Sequence, residues 1–233
     1  LAGRFNNMVE ALRRNREALV ENQRELNQAQ IRMLQAQLNP HFLCNTLDTM
    51  KWIIKINKVP QVAEMSANLA DILRFCISPE EFASLRREVE ILERYVEIQE
   101  IRMSGAFAFR VELPEELADC RVPKMILQPL VENAILHGLE GVENGAVEVT
   151  VREKAGMLRI TVRDNGAGLP PEMAAGRYRS RGPAGRHLGL YNVNTILTKY
   201  YGDGCGLFLE NGPAGGAVVT AVLPVRGEEE NPC

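Results

Sequence analysis

Several groups of residues in this chain combine types and spacings that could support chemistry. Glu132, Asn133 and His137, followed by Gly138, place polar groups on about one turn of a helical stretch. A carboxylate beside a carboxamide suits a hard cation such as Mg²⁺, which takes few protein ligands and completes its shell with water and phosphate. An exposed polar helix face would use the same residues. Asp164, Asn165, Gly166, Ala167 and Gly168 follow a strand-like run. An acid before two glycines makes a tight turn where a ligand can reach the backbone, and the carboxylate can accept a hydrogen bond from an exocyclic amine such as adenine N6. An ordinary surface turn reads the same way. From Pro170 to Leu190 the chain holds Gly176, Gly182, Gly185 and Gly189 with Arg177, Arg179, Arg181 and Arg186. Such a basic, glycine-rich segment suits a lid over phosphates, or a mobile surface loop. Finally His41, one of only three histidines, lies between Pro40 and Phe42, with Asn45 one turn further on. It is either a reactive imidazole or a packed one.

The elements that must position these groups change character along the chain. Phe5, Leu12, Leu19, Leu26 and Met33 recur every seven residues, with Met8, Asn15, Asn22, Ala29 and Ala36 in the second seam position. This predicts a coiled coil, weakened by the Asn and Ala positions and able to shift or loosen; a passive linker coil has the same pattern. The register continues through Pro40, Leu43, Leu47, Met50 and Ile54 and leaves His41 one step off the seam. The apolar stripe widens around Leu34, Leu38 and Phe42, so the coil is expected to open into a bundle there. Pro40 is expected to bend the helix just before His41. A second amphipathic run, Val62, Met65, Leu69, Ile72 and Cys76, is expected to fold back and complete a dimeric four-helix bundle. Ser78, Pro79 and Glu81 have the form of a capping box for a third helix, ending at Met103, Ser104 and Gly105.

Beyond Ala106 short β-like runs predominate. Strands are predicted at Phe107 to Leu113, Ala146 to Val151, Leu158 to Val162, Gly206 to Glu210 and Ala217 to Leu223, with a hairpin turn around Lys154, Ala155 and Gly156. Helices are predicted over Ile126 to His137 and Leu190 to Tyr200. Strands and helices that do not alternate strictly indicate an α+β sandwich, with helices layered on a mixed, mostly antiparallel sheet.

Composition bounds the function classes. At 233 residues with a net charge of −3, the chain is long enough for one or two cored domains, and it lacks the basic excess of a nucleic-acid binder. No nucleic-acid partner is expected. No apolar run approaches the roughly 18 to 20 residues that a bilayer span needs. The five cysteines are scattered without metal-ligand spacing, so reduced thiols are expected. The chain opens at Leu1 without an initiator Met or signal peptide, so a piece of a longer protein is expected.

Taken in order, the Asn133 helix, the Asp164-x-Gly-x-Gly turn, the glycine lid and the final Gly215 and Gly216 resemble the ATP-binding fold shared by histidine kinases, gyrase-type ATPases, Hsp90 and mismatch-repair ATPases. The first box runs from Leu127 through Gln128, Pro129, Leu130, Val131, Glu132, Asn133 and Ala134 to His137 and Gly138. Leu34, Gln35, Gln37, Leu38, Asn39, Pro40, His41, Phe42, Asn45 and Leu47 resemble the phosphoacceptor segment of the LytS/YesM-type sensor histidine kinases. Leu73, Arg74 and Phe75, then Glu93, Tyr95, Ile98, Gln99 and Arg102, resemble that family's dimerisation helices, and Arg4 to Met8 resemble the end of a HAMP domain.

The resemblance implies four segments: a coiled-coil signalling helix at the end of HAMP over 1–33, a dimerisation and histidine phosphotransfer domain over 34–104, a catalytic ATP-binding domain over 105–227, and a tail over 228–233. It implies ATP and Mg²⁺ as cofactors. Asp164, Gly166 and Gly168 would take the adenine and Asn133 the metal, with His137, Arg186, Gly189 and Leu190 also in the nucleotide site. His41 would attack the γ-phosphorus, Glu132 would serve as base, and Asn45 would orient a water in the reverse reaction. The implied setting is a homodimer in the cytoplasmic portion of an integral protein of the bacterial cell membrane. An upstream sensor region of the same chain would drive it, and a response regulator receiver domain would take the phosphoryl group. Two departures stand out. Phe42 occupies the position where many histidine kinases carry an acidic base, and His187 replaces the first glycine of the lid's usual Gly-x-Gly-Leu. An ATPase of the same fold, or a coiled-coil relay that transfers nothing, are the alternatives.

Overall fold

The computed structural model describes residues 59–103, 107–171, 173–174, 176–178, 188–202 and 204–225, with Arg16 and Thr46. Contacts divide the chain into Leu1–Leu34 and Gln35–Cys233, and every element below belongs to the second unit. The coiled coil, the Pro40 bend, His41, Phe42, Asn45, Arg186, His187 and the tail lie outside the described residues.

Helix α1 (Val59–Ile77) buries Met65, Leu69, Ile72 and Phe75. It packs on helix α2 (Leu85–Arg102), which buries Leu85, Val89, Leu92, Tyr95 and Val96. The polar contacts between them fix the direction. Asn68 Nδ2 donates to Glu97 at 2.6 Å, while Arg94 donates to Asn68 at 3.2 Å and pairs with Asp71 at 3.1 Å. Rising numbers on α1 meet falling numbers on α2, so the pair is antiparallel.

The start of α2 differs from the expectation. Ser84, not Ser78, is the cap, and its side chain accepts from the Arg87 amide at 3.3 Å. The reason is non-local. Phe82–Ser84 forms strand β1, paired antiparallel with β3 (Arg121–Pro123), so helix cannot begin until that ladder ends. Ser78 Oγ instead accepts from Lys124 Nζ at 2.6 Å and donates to the Phe75 carbonyl at 3.0 Å.

The main sheet contains β2 (Phe107–Glu112), β4 (Gly145–Lys154), β5 (Met157–Asp164), β6 (Gly176–Arg177), β7 (Gly206–Asn211) and β8 (Ala217–Pro224), in the order β2-β4-β5-β8-β7-β6. Only β2 and β4 pair in parallel. Alternation sets the faces: Val147, Val149, Val151, Leu158, Ile160 and Val162 are buried while Arg159 and Arg163 face outward. The β4–β5 turn is the expected hairpin, with Ala155 and Gly156 both left-handed at φ 54° and 74°. Helices α3 (Leu127–Asn133) and α4 (Leu188–Tyr201) pack on one another, and α4 also packs on β7 and β8. This is the predicted α+β arrangement with a mixed, mostly antiparallel sheet. Part of the segment expected to form a free lid belongs to the sheet: Gly176 and Arg177 pair with Leu209 and Phe208, and the Tyr178 amide donates to Leu207. Among the described residues no helix is long and apolar enough to cross a membrane.

Candidate active site

The site is built where the end of the α3 segment, the end of β5 and the turn before β8 meet. Helix α3 buries Leu127, Leu130 and Val131 against the core, and Pro129 lies in its first turn, where a missing amide costs no helical bond. The predicted helix over Ile126 to His137 is not uniform. After Asn133 it widens into a π turn, Ala134–Gly138, closed by Leu139 N donating to Ala134 O at 3.0 Å. Such insertions recur at functional sites because they rephase the side chains that follow.

Here the end of the turn brings Gly138 against Asp164. A β-carbon on Gly138 would lie 2.7 Å from Asp164 Cγ. The Gly138 carbonyl accepts from Ala167 N at 3.2 Å, and a β-carbon on Gly166 would overlap that carbonyl oxygen at 1.8 Å. From the other side, Gly216 would place one 1.9 Å from the Asp164 carbonyl oxygen. Asp164 itself is 4% exposed. Its Oδ1 accepts from Gly166 N at 2.9 Å and Ala217 N at 3.1 Å. Both bonds fall on one oxygen, and they hold the carboxylate while Oδ2 takes neither of them. Asn165 ties the same turn to the start of β4, accepting from Ala146 N at 2.7 Å and donating to Asn144 O at 3.1 Å.

Glu132 and Asn133 are half-buried on the last turn of α3, and His137 is exposed. Burial raises the Glu132 carboxyl to about 7, opposed by the charge of Arg102 on α2. Tyr95, also on α2, has its hydroxyl raised chiefly by burial and further by Glu132. Glu132 therefore faces α2. Arg102, Leu136, His137 and Glu140 help line an open cleft of about 450 Å³. At the opposite end of α3, a β-carbon on Gly189 would come within 3.1 Å of Pro129 Cβ, so this glycine lets α4 approach α3 closely. Leu190 is a core residue, 1% exposed. Among the described residues no cluster of three or more His, Cys, Asp or Glu side chains could hold a metal by itself.

The comparisons with known proteins cover almost all of the chain. Residues 29–107 match a family model described as histidine kinase. Residues 119–227 match a model described as histidine kinase-, DNA gyrase B-, and HSP90-like ATPase. The sensor histidine kinase YesM of Bacillus subtilis is 30% identical over 226 residues, which is 96% of this chain and 38% of that protein. The chain belongs to the histidine kinase family. YpdA of Escherichia coli, also a sensor histidine kinase, is 34% identical over 182 residues, 76% of this chain and 32% of its own. The sensor protein LytS of Oceanobacillus iheyensis is 30% identical over 208 residues, 86% of this chain and 35% of its own. The chain thus spans about a third of the length of these relatives.

Within this histidine kinase, the structure gathers Gly138, Asp164 and Gly166 around one point, with Glu132, Asn133 and His137 on the segment that leads to it. Gly168 lies at its edge, a β-carbon there being 3.5 Å from the Gly216 carbonyl, and Gly189 stands apart. Gly168, at φ 78°, lies over Asn211, whose side chain accepts from Leu169 N at 2.6 Å and donates to Leu169 O at 3.0 Å. Asn211 thereby staples the chain where it leaves the site toward the lid. Sequence reasoning passed over it, and its only signal was an Asn before the Gly-Pro turn. Glu88 was missed too. Its buried carboxylate accepts from the amides of Met125, Ile126 and Leu127 at 2.7, 3.2 and 3.3 Å.

Proposed function

We propose that this chain is the kinase region of a two-component sensor, which phosphorylates itself on His41 with ATP and passes the phosphoryl group to an aspartate of a response regulator. The observation that carries the reading is the closure of Gly138, Gly166 and Gly216 around Asp164. Backbone without side chains surrounds one buried carboxylate whose pinned oxygen is Oδ1, which suits a flat purine with an exocyclic amine offered to Oδ2. Gly168 would give the ring further access to the backbone.

A Mg²⁺ ion fits the donors present, since a single carboxamide, Asn133, with substrate phosphates and water is the usual few-ligand arrangement for it; when bound it neutralises the triphosphate. His137, Arg186 and the backbone at Gly189 would complete the nucleotide site from the π turn and the lid end, with the buried Leu190 anchoring that end in the core. In the transfer itself, an unprotonated ring nitrogen of His41 forms the N–P bond in line. The bond from the γ-phosphorus to the bridging oxygen breaks, and ADP leaves. The proton on the other ring nitrogen goes to the Glu132 carboxylate, which replaces the acid absent at Phe42. A carboxyl near 7 is matched to that task, being ionised often enough to accept and basic enough to hold the proton. Asn45, four residues from His41, would orient water in the reverse reaction.

The setting proposed with it is a homodimer through the helices around His41, joined to an upstream membrane sensor region and facing the cytoplasm. The test is incubation with γ-labelled ATP, followed by acid treatment and peptide mapping. The expected result is acid-labile label on His41 that is lost in His41→Gln. Free phosphate without labelled protein would replace this reading with an ATPase, and absence of both with a relay. Unchanged phosphorylation in Glu132→Gln at saturating ATP would remove Glu132 as the base.

A further inference from the structure

Helix α2 carries Glu88, Tyr95 and Arg102 at intervals of seven residues, which places them on one stripe of the helix. Each meets the α3 segment. Glu88, 3% exposed, takes the three successive amides of Met125, Ile126 and Leu127. These are donors that α3 leaves open at its start. Met125 is held at φ 62°, a left-handed conformation unfavourable for a non-glycine residue, and this curls the three amides toward the one carboxylate. At the other end of the helix the charge of Glu132 bears on the Tyr95 hydroxyl and that of Arg102 on Glu132, and Arg102 Nη1 also donates to Gln99 at 3.4 Å. No residue of this stripe belongs to the nucleotide boxes.

We propose that Glu88 is a positioning residue for the nucleotide site. Its carboxylate seats the first turn of α3, and the rigid helix carries that placement to Glu132 and Asn133, six residues or about 9 Å further along. The far end of the same segment is fixed independently, by Ala167 N donating to Gly138 O and by Gly138 against Asp164. A helix held at both ends by different segments has one orientation. Released at its start, it can pivot about Gly138 and move the Asn133 carboxamide away from the phosphates. Glu88 touches no reacting atom and acts only through α3.

The inference rests on the ATP-binding reading above, so the experiment separates the two. The whole chain is titrated with a non-hydrolysable ATP analogue in the presence of Mg²⁺, as wild type, Glu88→Gln, Glu88→Asp and Val151→Ala. Val151 is fully buried in β4 and serves as a destabilised control. The amide of Glu88→Gln keeps the shape of the side chain but leaves one accepting oxygen and turns N–H toward N–H. Its dissociation constant is expected to rise at least tenfold, with Glu88→Asp between it and wild type. Val151→Ala should stay within twofold of wild type even where its melting temperature falls as far. Equal affinity in wild type and Glu88→Gln would overturn the positioning role. So would a matching loss in Val151→Ala, or failure of both Glu88 variants to fold, since each assigns Glu88 to stability alone. A wild type that binds no analogue would instead defeat the ATP-binding reading.

Discussion

The test that reaches furthest into the chemistry is Arg102→Met. Arg102 supplies the charge that opposes the burial of Glu132, whose carboxyl stands at about 7. Methionine keeps much of the side-chain length and removes the charge, so the carboxyl must rise. An opposite charge close by lowers a carboxyl by about 1 to 3 pH units. Arg102 is exposed, where solvent and salt screen it, so the low end of that range applies. A rise of about one unit takes the ionised fraction of Glu132 at pH 7 from about a half to about a tenth. If the ionised form is the base, the single-turnover rate of His41 phosphorylation falls about fivefold at pH 7 and recovers to near the wild-type rate by about pH 9. The assay is rapid-quench phosphorylation at saturating ATP from pH 6 to 9, at two ionic strengths. In wild type the acid limb should centre near 7 and move upward with added salt. In Arg102→Met it should centre near 8 and ignore salt. A limb that stays in place when Arg102 is replaced, or that survives in Glu132→Gln, refutes the assignment.

Other consequences follow from the same contacts. In Gly166→Ala the new methyl would start 1.8 Å from the Gly138 oxygen, so the turn must open and lose the Ala167–Gly138 and Gly166–Asp164 bonds. At about 1 to 3 kcal/mol each, calorimetry should show a lower melting temperature and ATP titration at least a tenfold weaker affinity. Glu88 is raised to about 7 from 4.5, so the folded chain binds more protons than the unfolded chain between those values and stability falls as pH rises through that window. The Glu88 share of the loss amounts to about 3 kcal/mol, read as a slope in urea unfolding between pH 5 and 7.5 that becomes shallower in Glu88→Gln, the remainder coming from Glu132; equal slopes would contradict it. Asn211→Ala leaves the Leu169 amide and carbonyl without their partner, so hydrogen exchange at Leu169 should accelerate while exchange in the β4–β5 hairpin stays unchanged.

Local features of this fold are legible in the sequence, and contacts made at a distance are not. The β4–β5 hairpin was legible because alternation and a two-residue turn act within a few residues of one another. The Asp164 turn was legible for the same reason, although its partners were not. Nothing near Gly138 or Gly216 announces that each must lie against Asp164. The start of α2 was misplaced because Phe82 to Ser84 pairs with a strand nearly forty residues later, and a plausible cap at Ser78 competed with the true one at Ser84. Gly176 and Arg177 looked like lid because a two-residue edge strand has no periodicity to detect. The Glu88 carboxylate was invisible for a physical reason: a buried acid needs donors to be tolerated, and its donors are backbone amides, which every sequence contains.

The position of α2 links these results. It falls within the span of the histidine kinase model, 29–107, yet its Glu88 stripe grips the helix of the ATPase-like part. Arg94 and Glu97, which hold α1 through Asn68 and Asp71, lie between about a quarter and a half turn around the helix from Glu88, Tyr95 and Arg102. One side of α2 therefore holds α1 and another side holds α3. Displacement of α1 along its axis would have to stretch the Asn68 and Asp71 contacts or carry α2 with it, and α2 would carry the first turn of α3. Asp71 and Arg94 are partly exposed and screened, whereas the Glu88 amides are not. Asn68, buried like Glu88, and the apolar packing of Met65, Leu69 and Ile72 hold α1 to the same helix, so α2 couples α1 to the first turn of α3.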